Sequence, residues 1–243
     1  MFEKFNSEGI IILEDDMLIS PDFFEYFNRV SKFVLNDSSL YCASAWNDNG
    51  KKVFSWDAET IVRTNFFPGL GWFLANRVWD EISLKWPDAF WDDWMRDLMK
   101  EKKKFCLYPE ISRTFTFGEF GSSGGQFYHE FLKKIKLNEK MVDWKNVDLS
   151  YLEPNNWDHS ILKNLSKAGV VNKIELGMFE DDSIVENKKI YYKDENDFIS
   201  IVRNTGIISE FKAGNPRCSY KGILQLGMKN AKFYLVPTTL FQD

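Results

Sequence analysis

Three short segments collect residue types able to do chemistry. The first is Glu14-Asp15-Asp16, three acids in a row. Such neighbours repel one another unless a cation or a donor-rich ligand compensates. Hard divalent ions such as Mg²⁺ and Mn²⁺ take carboxylate oxygens and complete their shells with water and substrate phosphates. The second is Phe90-Trp91-Asp92-Asp93-Trp94. A carboxylate wedged among indoles loses water, which raises its pKa and makes it a better proton acceptor near neutral pH. The indole faces also suit a sugar ring. The third is Gly118-Glu119-Phe120-Gly121-Ser122-Ser123-Gly124-Gly125. Such a loop can fold over a phosphate, offering backbone N–H groups and serine hydroxyls. Without a Gly-Lys-Ser/Thr ending it is not a Walker A loop. Each segment also has a plainer reading: a solvated turn, a helix start with tryptophans in the core, a simple surface loop.

The elements around these segments decide how they are placed. Gly9-Ile10-Ile11-Ile12-Leu13 is an all-apolar, β-branched run, the pattern of a strand buried on both faces and hence of a central strand in an α/β sheet. The acids follow at its carboxyl end, where ligands of such sheets bind. Ser20-Pro21-Asp22 reads as N-cap, first helical position and first-turn acid of a helix carried by Phe23, Phe27, Val30 and Val34. Leu40–Trp46 is a second strand, ended by the turn Asn47-Asp48-Asn49-Gly50. A Pro- and Gly-rich loop, Phe66–Trp72, precedes a helix over Arg77–Leu84. Met95–Lys104 predicts a helix with a solvated basic tail, Phe105–Tyr108 and Thr114–Phe117 short strands, and Phe127–Lys136 a further helix.

From about residue 150 the texture becomes more polar, and the chain divides into 1–150 and a smaller α+β region, 151–243. In the second part strands are expected at Lys173–Leu176, Lys189–Tyr192 and Lys232–Val236, and a helix near Glu195–Asn204; no motif there suggests chemistry.

Composition narrows the partners. Aromatic residues reach 16% of the 243, which suits a wide core or a pocket for flat rings. A net charge of −5 argues against nonspecific binding along a nucleic-acid backbone. The longest aliphatic run, Ile10–Leu13, is far short of the ~20 residues of a membrane helix, so any membrane attachment is expected from outside these residues. Cys42, Cys106 and Cys218 form no CxxC pair; they fit a reduced protein, or one disulfide with a leftover thiol. The sequons at Asn36 and Asn164 are about what chance supplies.

Together the three segments suggest metal-assisted displacement of a nucleoside diphosphate from an activated sugar. Acids hold a metal against the leaving diphosphate, a carboxylate among aromatics deprotonates the acceptor, and the glycine loop closes to exclude water. The blocks Ile11–Asp16, Ser20–Phe27, Ser44–Gly50, Phe67–Trp72, Phe90–Arg96, Pro109–Thr114 and Gly125–Phe127 resemble, in order, those of the β-1,2-N-acetylglucosaminyltransferase I family. The resemblance is strong over about residues 8–152. It implies an α/β, glycosyltransferase-A (Rossmann-like) catalytic domain that inverts the anomeric centre. The expected reaction passes GlcNAc from UDP-GlcNAc to the 2-hydroxyl of a mannose on a glycoprotein N-glycan, in the Golgi lumen. It further implies Asp16 as the one protein ligand of Mn²⁺, with Glu14 and Asp15 on the sugar and ribose side of the donor. Asp92 would be the base, Trp91 and Leu70 would line the GlcNAc pocket, and Ser123 would meet the diphosphate. A Cys42–Cys106 disulfide is implied as well. Only nine residues precede the first apolar strand, so the family's uridine-binding strands, stem and anchor are expected to be missing here. The alternatives are a non-catalytic glycan-binding or scaffold remnant, the O-mannose relative, and a metal-dependent phosphohydrolase.

Overall fold

The structure, a computed structural model, describes residues 2–119 and 128–241. The chain runs α1 (Phe2–Phe5), β1 (Gly9–Ile12), β2 (Met17–Ile19), α2 (Phe23–Asn36), β3 (Leu40–Ser44), β4 (Ile61–Thr64), β5 (Trp72–Ala75), α3 (Asn76–Ile82), α4 (Trp91–Glu101), β6 (Phe105–Pro109) and β7 (Thr114–Thr116). It continues through α5 (Pro154–Lys167), β8 (Gly169–Val170), β9 (Lys188–Tyr192), α6 (Glu195–Val202), β10 (Phe211–Lys212), β11 (Asn215–Pro216), β12 (Leu224–Gly227) and β13 (Lys232–Pro237).

The first half is organised by a five-stranded mixed sheet in the order β1-β5-β3-β6-β4. β3 is its central strand, and all five of its residues are buried. The Gly9–Leu13 run, expected at the centre, lies instead at the edge, paired only with antiparallel β5 among the described residues. Ile11 and Leu13 stand 37% and 42% exposed. An unbroken apolar run indicates a strand, but nothing in it reports how many neighbours that strand has.

β3 and β6 run parallel and place Cys42 opposite Cys106, 4.8 Å apart at Cα, where they form the disulfide implied by the family resemblance. Their separation of 64 residues corresponds to about 4 kcal/mol in the loop-entropy model. Cys218 is the buried free thiol.

A second sheet, β12-β13-β9-β8, forms in the C-terminal part, with α5 and α6 beside it. The two sheets share one continuous apolar core. They are also stitched by polar bonds: Tyr108 donates to the Cys218 carbonyl (3.0 Å), Thr64 to that of Ser219 (2.6 Å), and Lys232 to Glu110 (2.6 Å). Two expected elements do not form. Over the described residues 128–136 the chain makes turns and a single 3₁₀ turn, Leu132–Lys134, because Ile135 bridges to Lys51 and the Lys136 amide bonds the Gly50 carbonyl. Lys173–Leu176 is not a strand: the ladder with β9 is already used by β8 and the Val171 amide, and the chain then leaves the sheet.

α2 is amphipathic as expected, burying Phe23, Tyr26, Phe27, Val30 and Val34. Its start differs. Asp22, not Ser20, is the N-cap residue, and its side chain turns away from the helix into the core. There the carboxylate accepts from Ser20 (2.7 Å), Asn138 (2.9 Å), the Trp144 indole (2.9 Å) and Arg113 (3.1 Å from Nη2). Both Asp22 and Arg113 are fully buried, and the guanidinium lies between the rings of Tyr26 and Trp144. Burial pushes the Asp22 carboxyl up, but Arg113, Ser20 and Trp144 outweigh it and hold it below the usual carboxylate range.

Replacing Asp22 by Asn leaves Arg113 buried without its counter-charge and is expected to cost about 3–5 kcal/mol in urea denaturation. Because the folded-state pKa is lowered, this stabilisation is complete above the ordinary aspartate value of 3.8 and is lost as pH falls below it. The gap between wild type and Asp22→Asn should therefore narrow on acidification and stay constant from pH 5 to 7.

Candidate active site

The acidic triplet leaves β1 beside the turn that enters β5. In that turn Gly69, Leu70 and Gly71 all have positive φ, at 67°, 53° and 86°. Three bonds hold it: Ser44 donates to the Gly69 carbonyl, Thr114 to that of Leu70, and the Ala45 amide to that of Gly71, each at 2.7 Å. Leu70 thus keeps a left-handed backbone that a residue with a Cβ tolerates only at a cost. A Cβ on Gly71 would stand 2.7 Å from Thr114 Cγ2 and 3.4 Å from Leu13, so β1, β7 and the turn approach closely there.

Glu14 faces this turn. One of its carboxylate oxygens, Oε2, is buried with no hydrogen-bond partner among the described residues. Burial, with Asp16 and Asp15 adding like charge, pushes its pKa up. Asp15 is exposed. Asp16 is held from below: Thr116 donates to its Oδ2 (3.0 Å), the Phe117 amide bonds its carbonyl (3.0 Å), and a Cβ on Gly118 would fall 1.9 Å from Oδ2. Glycine at 118 is what leaves room for the carboxylate.

Among the described residues no three His, Cys, Asp or Glu side chains converge as a metal cage. Asp16 nevertheless offers carboxylate oxygens of the kind a hard divalent cation takes. Such an ion would draw its remaining ligands from water and a bound phosphate.

The second segment is built differently from the expectation. α4 starts at Trp91, after an exposed Phe90 with φ 54°. Trp91 is stacked on both faces, against Trp72 (5.8 Å) and Trp86 (5.7 Å), with Phe67 at its edge. Its faces are therefore taken, and only its edge remains for a ligand. The Trp91–Trp72 stack is also what ties α4 to the Gly69–Gly71 turn and thus to the acids.

Asp92 is not enclosed by indoles. Its side chain is 44% exposed and accepts from Arg96 (2.8 Å), one helical turn on. The same Arg96 nitrogen donates to Asp93 (2.7 Å), which also meets Lys212 (3.2 Å). Burial pushes Asp93 up, but the bonds from Arg96 and Lys212 prevail and lower its pKa. Arg96 itself is buried, donating to the Phe67 carbonyl and lying over the Phe66 ring. The tryptophans pack with one another, leaving the acids to the cations.

The structure thus brings Glu14, Asp15, Asp16 and Leu70 together and joins Trp91 and Asp92 to them through Trp72. Ser123 and the glycine loop beyond Glu119 lie outside the described residues. Thr114, Thr116, Arg96 and Lys212 were not singled out from sequence. Arg96 was readable as the partner of Asp92 at i+4; Lys212, 119 residues from Asp93, left no local signal.

Fold and site define an α/β protein with a carboxylate site at the carboxyl end of a sheet strand. The model of the GNT-I family matches residues 1–243, and the chain belongs to that family. It is similar, at 41% identity over its whole length, to the alpha-1,3-mannosyl-glycoprotein 2-beta-N-acetylglucosaminyltransferase of Arabidopsis thaliana. The chain spans about half of that relative, 55% of its length.

Gly71→Ala adds both the Thr114 clash and a methyl at φ 86°, and is expected to destabilise the protein by about 2–4 kcal/mol in chemical denaturation. Adding Thr114→Ser, which removes the clashing methyl, should recover only part of the loss.

Proposed function

We propose that this chain carries the catalytic part of an inverting transferase. It would move GlcNAc from UDP-GlcNAc to the 2-hydroxyl of a mannose on an N-glycan, with Mn²⁺ as the cation and the Golgi lumen as its place. The observation that carries this reading is the unsatisfied, buried Glu14 oxygen, set between Asp16 and the strained Leu70 turn. A carboxylate oxygen left without a donor, where burial already opposes its charge, is prepared for a hydroxyl-rich or cationic ligand. Family membership and the name of the Arabidopsis relative support the sugar, the mannose acceptor and the glycoprotein. The Cys42–Cys106 disulfide supports an oxidising compartment. No helix among the described residues is long and apolar enough to cross a membrane.

In this reading Glu14 and Asp15 take sugar and ribose hydroxyls of the donor, and Leu70 forms the apolar wall of the sugar pocket. Asp16 holds the cation, whose chemistry is to neutralise the charge that gathers on the leaving diphosphate. Asp92, open to solvent on one side, accepts the proton of the mannose 2-hydroxyl as that oxygen bonds to the anomeric carbon and the bond to UDP breaks. Arg96 aims the Asp92 carboxylate, and Asp93 shares its positive charge. Ser123, from the glycine loop, meets the diphosphate.

Two variants test this. Asp16→Ala should abolish Mn²⁺-dependent UDP-GlcNAc binding in calorimetry while the protein still melts cooperatively. Asp92→Asn should bind donor as wild type does and lose about 10²–10⁴ in turnover. Unchanged metal-dependent affinity in the first, or turnover within threefold of wild type in the second, overturns the corresponding role.

A further inference from the structure

A cavity of about 390 Å³ opens where the two halves of the chain meet. One wall is α5, which turns Trp157, Ser160 and Asn164 toward it, spaced i, i+3 and i+7 on one helical face. The neighbouring stripe, with Ile161 and Leu165, goes into the core. The opposite wall is Gln225 and Tyr234, direct cross-strand partners on β12 and β13. Tyr151 and Ile61 close the space between, the Tyr151 hydroxyl being bonded to the Ile61 backbone.

Two observations point to a ligand. Ser160 and Asn164, half-buried on the flank of the apolar stripe of α5, put a hydroxyl and an amide on the cavity wall. Trp157, 4% exposed, has an indole N–H with no hydrogen-bond partner. A buried donor left unmade costs about 1–3 kcal/mol, so it calls for an acceptor in the cavity it lines.

The charges limit what that ligand is. Among the described residues, Asp57, Glu59 and Asp148 stand on the rim against a single cation, Lys232. Lys232 is already engaged by Glu110 (2.6 Å) and Thr60 (3.2 Å), with Asp57 at 3.9 Å. Among the described residues that line the cavity, no free positive charge remains for a phosphate or carboxylate. An apolar ligand would leave the Trp157 N–H unmet. A neutral ring with hydroxyls on its rim would meet that N–H and lay its apolar face on the half-buried Tyr151 ring, which Trp157 supports from 6.2 Å. The volume lies within the ~300–1,000 Å³ of small-molecule sites.

We propose that the cavity between α5 and the β12–β13 pair is a second saccharide-binding site, separate from the acids at β1 and selective for neutral sugars. It would anchor part of a glycan away from the candidate active site and does not depend on the catalytic roles given above.

The full chain, without nucleotide, is tested by saturation-transfer NMR against mannotriose, chitobiose and inorganic phosphate. The site predicts transfer to at least one of the two sugars and none to phosphate. Trp157→Phe keeps the ring and removes the N–H, and should weaken that sugar by about three- to tenfold. Ser160→Ala and Gln225→Ala, both only half-buried and outside the core, should weaken it as well while melting as wild type does. Asp92→Asn should leave it unchanged. Silence from both sugars, binding of phosphate, or a signal indifferent to the three cavity variants but lost in Asp92→Asn each overturns the proposal.

Discussion

The ion pair between Asp22 and Arg113 is the constraint on which the rest of the architecture depends. Two fully buried charges are tolerable only when both are saturated, and here they are: four side chains converge on the carboxylate, while the guanidinium also donates to the carbonyls of Ile111 and Ala58. That saturation draws four separate stretches of chain, around residues 20, 58, 113 and 140, onto one point. It also fixes the strand-like segment Glu110–Thr116 that carries Arg113. Almost every loop near the candidate site is fastened to this segment. Asn47 bonds the Glu110 carbonyl and Ser112, the Trp56 and Asp57 amides bond the Glu110 carboxylate, Thr114 holds Leu70, and Thr116 holds Asp16.

Asp22 and Glu14 are close in sequence and opposite in condition. Burial works against the charge of both, but only Asp22 is given enough donors to overcome it. The Asp22 carboxylate locks the fold, whereas the Glu14 carboxylate is left with an unmade bond. A fold that compensates one acid so completely and leaves its neighbour short concentrates its unspent electrostatic capacity at the carboxyl end of β1. The adjoining Leu70 turn adds backbone strain at the same place, and such strain persists only where the surroundings over-determine it. Here they do so through Ser44, Ala45 and Thr114.

Local signals in the sequence led to most elements and to the segments that matter, and failed where partners are distant. The apolar spacing of Phe23–Val34 and the β-branched run before Glu14 were sufficient for a helix and a strand. The place of that strand in the sheet was not legible, because edge and centre differ by a neighbour and not by a residue type. Asp22 reads as an ordinary first-turn acid; its partners Arg113, Asn138 and Trp144 lie 91 to 122 residues away. Asp92 reads as a carboxylate among indoles, yet the tryptophans satisfy one another and Arg96 takes the acid. α5 is announced in the sequence by Pro154 and the four-residue spacing of Trp157, Ile161 and Leu165, but only weakly. Its polar residues mask the pattern, and two of them, Ser160 and Asn164, line the second cavity.

The C-terminal third, which carries no catalytic motif of its own, sets the geometry of the motif that does. From Asp92 a row of alternating charge runs through Arg96, Asp93, Lys212, Glu210 and Arg217 to Asp48, each within contact of the next. Asp48 in turn takes the Trp46 indole N–H (2.9 Å), one residue from the Asn47 bonded to Glu110 and Ser112. Single exposed pairs in such a row stabilise little. Their effect lies in direction, because Arg96, Arg217 and Asp48 are largely buried and cannot reorient freely. The row therefore begins at the half-exposed Asp92 carboxylate and ends on the same Glu110–Thr116 segment that buttresses Asp16. One backbone segment, held by one buried ion pair, thus references the two candidate carboxylates to each other across elements that never touch in sequence.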